Sequence, residues 1–224
     1  NVTMFVGDAQ IHYQWYQDLQ DSRDDWDSRL KSSLLRERDI KAPGSASSKG
    51  DAYRMDVTLL GANKHALLIE NETNDYYETY YTEPIGLKGT VAHSFKRITY
   101  KDVYPHIDWE IIASAERALK YNFIVHPGGD AKKIRLKYGG ATNLQLKNGD
   151  LLARTPYGSI IEHAPYTYDA ETKETIASNF VLNDNILSYN ILAPSWGGGG
   201  DIIIDPVLDW ATYYGGNGDQ YQSR

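Results

Sequence analysis

Asp108 and Glu110 stand two positions apart in a short apolar run. On a strand, alternate residues share a face, so this spacing places two carboxylates side by side, where they can serve as acid and base or hold a cation. The competing reading is structural, because an aspartate after a Tyr-Pro turn caps backbone N–H groups. His106 with Asp108, and His126 with Asp130, are spaced as metal ligands could be. A zinc site needs three or four converging ligands, however, and no HxxxH or HxxEH pattern occurs, so a turn histidine is the plainer reading. Asp201, Asp205 and Asp219 supply hard oxygen donors that suit calcium, without the EF-hand or nonapeptide pattern. Calcium is therefore the one cofactor the sequence leaves open. Nucleophilic catalysis has no support, since there is no cysteine and no Gly-x-Ser-x-Gly elbow. Gly197 to Gly200 precede a strand-like run, so no helix N-terminus follows them to hold a phosphate.

Eighteen tyrosines and five tryptophans are more than a core of this size requires. Aromatic rings stack on sugars and anchor protein partners through stiff contact area. Tyr13, Tyr53, Tyr100 and Tyr121 fit strand alternation and read as sheet residues. Tyr76, Tyr77, Tyr80 and Tyr81 crowd a polar stretch and form the candidate ligand-binding group.

The elements that must carry these groups are strands. Ile11, Tyr13 and Trp15 alternate with polar residues, as do Tyr53, Met55, Val57 and Leu59. Further β-branched and aromatic runs cover 91–95, 109–113, 119–125, 134–138, 144–146, 159–162, 177–182, 186–192 and 202–208. Asn148-Gly149 between two such runs marks a hairpin, and Gly128-Gly129, Gly139-Gly140 and Asn183-Asp184-Asn185 mark further turns. Closely spaced strands with such turns predict an all-β fold, an antiparallel β-sandwich-type domain or pair of domains. Residues 20–51 read as an insertion between two strands. Trp26, Leu30, Leu34 and Leu35 have helical spacing over 20–40, and 41–50 has the composition of a mobile link. Residues 71–84 read as a second irregular stretch.

Composition narrows the function classes. The chain has 224 residues and a net charge of −7, with 9 basic and 15 acidic residues before position 87. No basic stripe exists to neutralise phosphates, which argues against nucleic acid as a partner. No run reaches the ~18 apolar residues of a membrane span. The absence of cysteine excludes a disulfide scaffold and a thiolate metal site.

Three segments occur in a fixed order: Tyr100-Lys101-Asp102-Val103-Tyr104-Pro105-His106-Ile107-Asp108, then Leu119 to Asp130, then Ile134 to Ala141. With Asn148-Gly149-Asp150-Leu151, Gly158 to Tyr166, and Ile204-Asp205-Pro206-Val207-Leu208, they make residues 86–224 resemble the domain that precedes SBBP-type β-propeller repeats in large bacterial surface proteins. Residues 7–16 and 52–61 share the resemblance more loosely, and 20–51 lie outside it. The resemblance implies an exported module, frequent among Bacteroidota, at the cell surface or outside the cell. It implies assembly, adhesion or recognition of surface proteins, outer-membrane proteins or glycans, and brings no catalytic residue. On this reading residues 1–209 form the module, with a potential internal split near 86. Residues 210–224 would then be a linker or the opening of the first repeat in a longer polypeptide. A carbohydrate-active hydrolase using the strand carboxylates, or a carbohydrate-binding module, is the alternative.

Overall fold

The computed structural model describes residues 2–16, 51–80, 89–113, 120–192 and 199–212. The expected helix over 20–40 and the expected mobile link at 41–50 lie outside them. Among these residues seventeen strands follow in chain order. The first nine are β1 (Val2–Gly7), β2 (Gln10–Tyr16), β3 (Ala52–Leu59), β4 (Leu67–Tyr80), β5 (Thr90–Tyr104), β6 (Ile107–Ile112), β7 (Lys120–Val125), β8 (Arg135–Gly139) and β9 (Asn143–Lys147). The other eight are β10 (Asp150–Thr155), β11 (Gly158–Glu162), β12 (Tyr166–Asp169), β13 (Thr175–Ile176), β14 (Ser178–Asn183), β15 (Ile186–Ile191), β16 (Ile202–Asp205) and β17 (Leu208–Thr212). Among the described residues the only helical element is one 3₁₀ turn, Ala131–Lys133, and no helix is long and apolar enough to cross a membrane.

Among the described residues the strands form three antiparallel sheets, ordered β1-β2-β3-β8-β15-β14, β13-β12-β16-β7-β6-β5-β4 and β17-β11-β10-β9, with no closed barrel. The fold is all-β and sandwich-type. Tight turns set the registers. Asn148 and Gly149 take φ of 54° and 92°, the left-handed pair that a two-residue hairpin requires, and they join β9 to β10. Asp8 and Ala9 do the same at 51° and 58° between β1 and β2.

Alternation sends one face of each strand inward. Ile11, Tyr13 and Trp15 on β2 and Met55, Val57 and Leu59 on β3 are buried, while His12, Gln14, Asp56 and Thr58 between them are not. Trp109, Tyr121, Phe123, Val125 and Ile204 do likewise for the seven-stranded sheet, and Leu151, Ala153, Ile160 and Leu208 for the smallest. Removing a side chain such as Ile11 or Phe123 from water contributes about 1.5–3 kcal/mol. Phe123 meets Tyr189 edge-on, centroids 5.9 Å apart, which ties the seven-stranded sheet to the six-stranded one. Glu162 on β11 accepts hydrogen bonds from Tyr121 (2.8 Å) on β7 and from Tyr138 on β8, so one buried carboxyl joins all three sheets.

Several expectations meet the structure differently. The stretch from Asn71, read as irregular, continues β4 to Tyr80 and pairs with β5, with a shift of register between Thr73 and Tyr77. Much of this ribbon is exposed on both faces, Leu67, Tyr77 and Val91 included, so it lacks the apolar alternation by which the other strands announce themselves. Near the suggested split at residue 86, β4 pairs with β5 and β3 with β8, so strands on either side of it share sheets. β17 pairs with β11 through Thr212, past the expected boundary at 209. Tyr16 and Ala52, on either side of the stretch read as an insertion, pair directly in the β2–β3 ladder.

Candidate functional site on the outer face of the seven-stranded sheet

The strands of the seven-stranded sheet send their apolar residues to the core and their polar ones to the opposite face. On β6, Ile107, Trp109 and Ile111 point inward, which leaves Asp108 and Glu110 together on the other side, as their spacing predicts. On β7, Tyr121, Phe123 and Val125 are inward, and Lys120, Asn122, Ile124 and then His126 alternate outward. β16 adds Ile203 and Asp205 to this face, β12 adds Tyr166 and Tyr168, and β5 adds Arg97, Thr99 and Lys101. The ladders set Glu110 between Thr99 and Asn122, and Asp205 beside Tyr166.

Asp108 is the most enclosed acid of this face, its side chain 2% exposed. Oδ2 is bound by Lys101 Nζ and by His126 Nε2 at 2.8 Å, and Oδ1 accepts the Asp102 N–H at 2.9 Å. Burial alone would push its carboxyl up. Lys101, the Asp102 N–H and His126 outweigh that, and it lies below the ordinary 3.8. His126 Nδ1 faces Asp201 Oδ1, also at 2.8 Å. Burial disfavours a charged imidazole here, but the Asp108 and Asp201 carboxylates more than offset it and hold the pKa above 6.5. With an acceptor at each nitrogen, the ring is suited to the doubly protonated form.

The neighbouring groups are paired in the same way. Arg97 Nη1 donates to Glu110 Oε1 at 3.0 Å, Asn122 Nδ2 donates to Glu110 Oε2 at 3.3 Å, and Lys120 Nζ donates to Asp205 Oδ2 at 2.8 Å. Asp108, Glu110, Asp201 and Asp205 are thus matched by Lys101, Arg97, His126 and Lys120. A general acid needs a carboxyl held above its ordinary range. Asp108 is held below it, so this arrangement keeps charge in place and is poorly set for proton transfer. Tyr166 is half exposed at the edge of this network, its ring centroid 5.2 Å from that of Tyr168, and Lys173 Nζ sits 5.5 Å over the Tyr168 ring. Burial and then the Asp205 and Glu110 carboxylates raise the Tyr168 hydroxyl pKa.

The fold distributes the sequence candidates unevenly. Asp201 and Asp205 come onto the same face as Asp108 and Glu110, but each is bound to a cation, and Asp219 lies outside the described residues. Among the described residues no group of three His, Asp or Glu side chains is arranged to hold a metal ion. His126 meets Asp108 and Asp201 instead of Asp130, whose carboxylate accepts the Lys132 N–H and caps the 3₁₀ turn. His106 sits in the β5–β6 turn with φ 61°, and its N–H donates to Asp102. Tyr77 is exposed on β4, 6.3 Å from the His93 ring; Tyr76 and Tyr80 lie on the same strand, and Tyr81 falls outside the described residues. Arg97, Lys101, Lys120, Asn122, Tyr166 and Tyr168 escaped the sequence reading. The strict alternation from Lys120 to His126 was the available signal for two of them.

The family described as domain of unknown function DUF7948 matches residues 1–207. The chain belongs to this family. The match spans every residue of the outer-face network, from Arg97 to Asp205. Neither the curated proteins nor the solved structures include a match to the chain.

Proposed function

We propose that the chain is a non-catalytic module of a larger exported cell-surface protein, serving assembly, adhesion or the recognition of proteins and glycans. One observation carries the non-catalytic, recognising part of this reading: the outer face of the seven-stranded sheet has each of its acids bound to a cation, with an exposed tyrosine at its border. A face built this way offers fixed hydrogen-bonding groups and an aromatic surface, and it holds the Asp108 carboxyl below its ordinary range, opposite to what a general acid requires. The order of motifs from Tyr100 to Leu208 supports the exported, cell-surface part.

Screening the intact chain against glycosidic, ester and peptide substrates, alongside Asp108→Asn and Glu110→Gln, tests the first part. No turnover is expected from any of the three. Turnover abolished by either substitution would establish a hydrolase instead. Fractionation of cells that express the native product tests the second part, with recovery at the surface or in the medium expected and recovery in the cytoplasm overturning it.

A further inference from the structure

At one end of the sandwich a cavity of about 470 Å³ opens between three turns. Leu60 and Gly61 follow β3, Tyr104 and Pro105 close β5, and Lys132, Lys133 and Arg135 come from the 3₁₀ turn and the start of β8. Among the described residues its walls hold three cations and no acid. In a chain of net charge −7 that is an unusual concentration, and among the described residues none of the three cations forms an ion pair. On the outer sheet face, by contrast, Arg97, Lys101 and Lys120 each rest on a carboxylate.

The frame beneath the cations is rigid. Leu60 N–H donates to the Arg135 carbonyl at 2.8 Å, and the Tyr104 hydroxyl donates to the Leu60 carbonyl at 3.2 Å. Asp130 accepts the Lys132 N–H through its side chain and the Lys133 N–H through its carbonyl, and Ile134 anchors the turn fully buried. Burial pushes the Tyr104 hydroxyl up to about 12, so it stays a neutral donor in this frame. Leu60, Tyr104 and Pro105 add apolar surface beside the charges. A cavity of this size falls in the range of ligand sites, roughly 300–1,000 Å³.

We propose that this cavity binds an anionic saccharide, with a carboxylate or sulfate held by Lys132, Lys133 and Arg135 and the sugar ring seated on Leu60 and Pro105. The two halves of the site each select a property of the ligand. Three unpaired cations, one of them a guanidinium fork, favour a planar or tetrahedral oxyanion. The apolar floor favours a ring with C–H faces over a bare ion. The site is independent of the tyrosine-bordered sheet face.

Calorimetric titration of the intact chain with trigalacturonate, dextran sulfate, uncharged dextran and inorganic phosphate tests the assignment. Trigalacturonate and dextran sulfate are expected to bind and uncharged dextran is not, while phosphate, which leaves the apolar floor unused, binds about tenfold or more weakly. The Lys132→Ala/Lys133→Ala double variant is expected to lower affinity for trigalacturonate about tenfold, and high salt to weaken it further. All three cations are exposed, so the variants keep the fold, and an unchanged thermal midpoint checks this. Tyr166→Ala leaves the affinity unchanged. Equal binding of dextran and dextran sulfate would overturn the proposal, as would an undiminished affinity in the double variant. Loss of binding in Tyr166→Ala would move the ligand to the sheet face and likewise overturn it. Binding of anionic vesicles without binding of trigalacturonate would assign the cations to a membrane surface instead.

Discussion

Asp108 on the outer face of the seven-stranded sheet and Glu162 at the meeting point of the three sheets are both almost fully withdrawn from water. Their partners differ in kind. Asp108 has Lys101 and His126, whose side chains are 38% and 30% exposed, together with a backbone N–H. Glu162 has the hydroxyls of Tyr121 and Tyr138, and no cation reaches it among the described residues. Burial raises the pKa of both carboxyls. Cations reverse the shift at Asp108, whereas hydroxyls only moderate it at Glu162, which stays above 4.5. The charged form of Glu162 in turn helps to push the Tyr13, Tyr121, Tyr138 and Tyr189 hydroxyls up, after burial itself. The location explains the choice of partner. At a sheet surface the far end of a lysine stays hydrated while it pairs inward, but at the junction of three sheets a cation would have to be stripped of water.

The largest expected effect is that of Glu162→Leu. It leaves the Tyr138 hydroxyl without its acceptor and Tyr121 with only the Tyr189 hydroxyl at 3.4 Å, which should cost about 4 kcal/mol in urea unfolding. A variant as stable as the parent would show that the junction does not depend on its carboxyl. Next comes Asp108→Asn, which keeps the shape but removes the charge that Lys101 and His126 share, at about 2 kcal/mol.

The pH profile of stability sharpens the contrast, because the two acids act in opposite directions. Asp108 titrates lower in the folded state, so its contribution is complete above 3.8 and disappears as pH falls through the folded value. Glu162 titrates higher, so its contribution is complete below 4.5 and disappears as pH rises through the folded value. His126, raised above 6.5, stabilises below that pH and loses its effect as pH rises past its folded value. Thermal midpoints from pH 3 to 9 should therefore show a flatter profile at the acid end in Asp108→Asn and a flatter profile above pH 4.5 in Glu162→Gln. Identical profiles for the two variants would dissolve the distinction. Away from this titration, Glu162→Gln retains hydrogen-bonding atoms at both positions and is expected to cost about 1 kcal/mol, less than Asp108→Asn. Tyr166→Ala, at the exposed border of the sheet face, should change stability by under about 0.5 kcal/mol and bear only on binding.

The strands that line the core were legible because each carries a local pattern. Ile11, Tyr13 and Trp15 announce β2, and Asn148-Gly149 announces the β9–β10 hairpin. The one-sided placement of Asp108 and Glu110 followed from spacing alone. The β4–β5 ribbon was not legible, because a ribbon with both faces largely in water needs no alternation and its polar run from Asn71 to Asp75 looks like loop. The pairing of Asp108 was only half visible. Lys101 lies seven residues away across one turn, whereas Asp201, which shares His126 with it, is far along the chain.

Sequence by itself determined which residues of each strand face inward, since a two-residue period obliges alternate side chains to opposite faces. It also determined the sharp turn between β9 and β10, where Asn148-Gly149 adopts the left-handed backbone. Only the tertiary structure decided that β7 lies between β6 and β16, and so carries His126 to both Asp108 and Asp201. The same holds for Glu162, which meets Tyr121 and Tyr138 only where three sheets converge, and for the three cations that ring the cavity beside Pro105. Strand order and sheet packing arise from many long-range contacts that compete for one core. No short stretch of sequence contains them, and the charge state of a buried carboxyl depends on whichever partners they deliver.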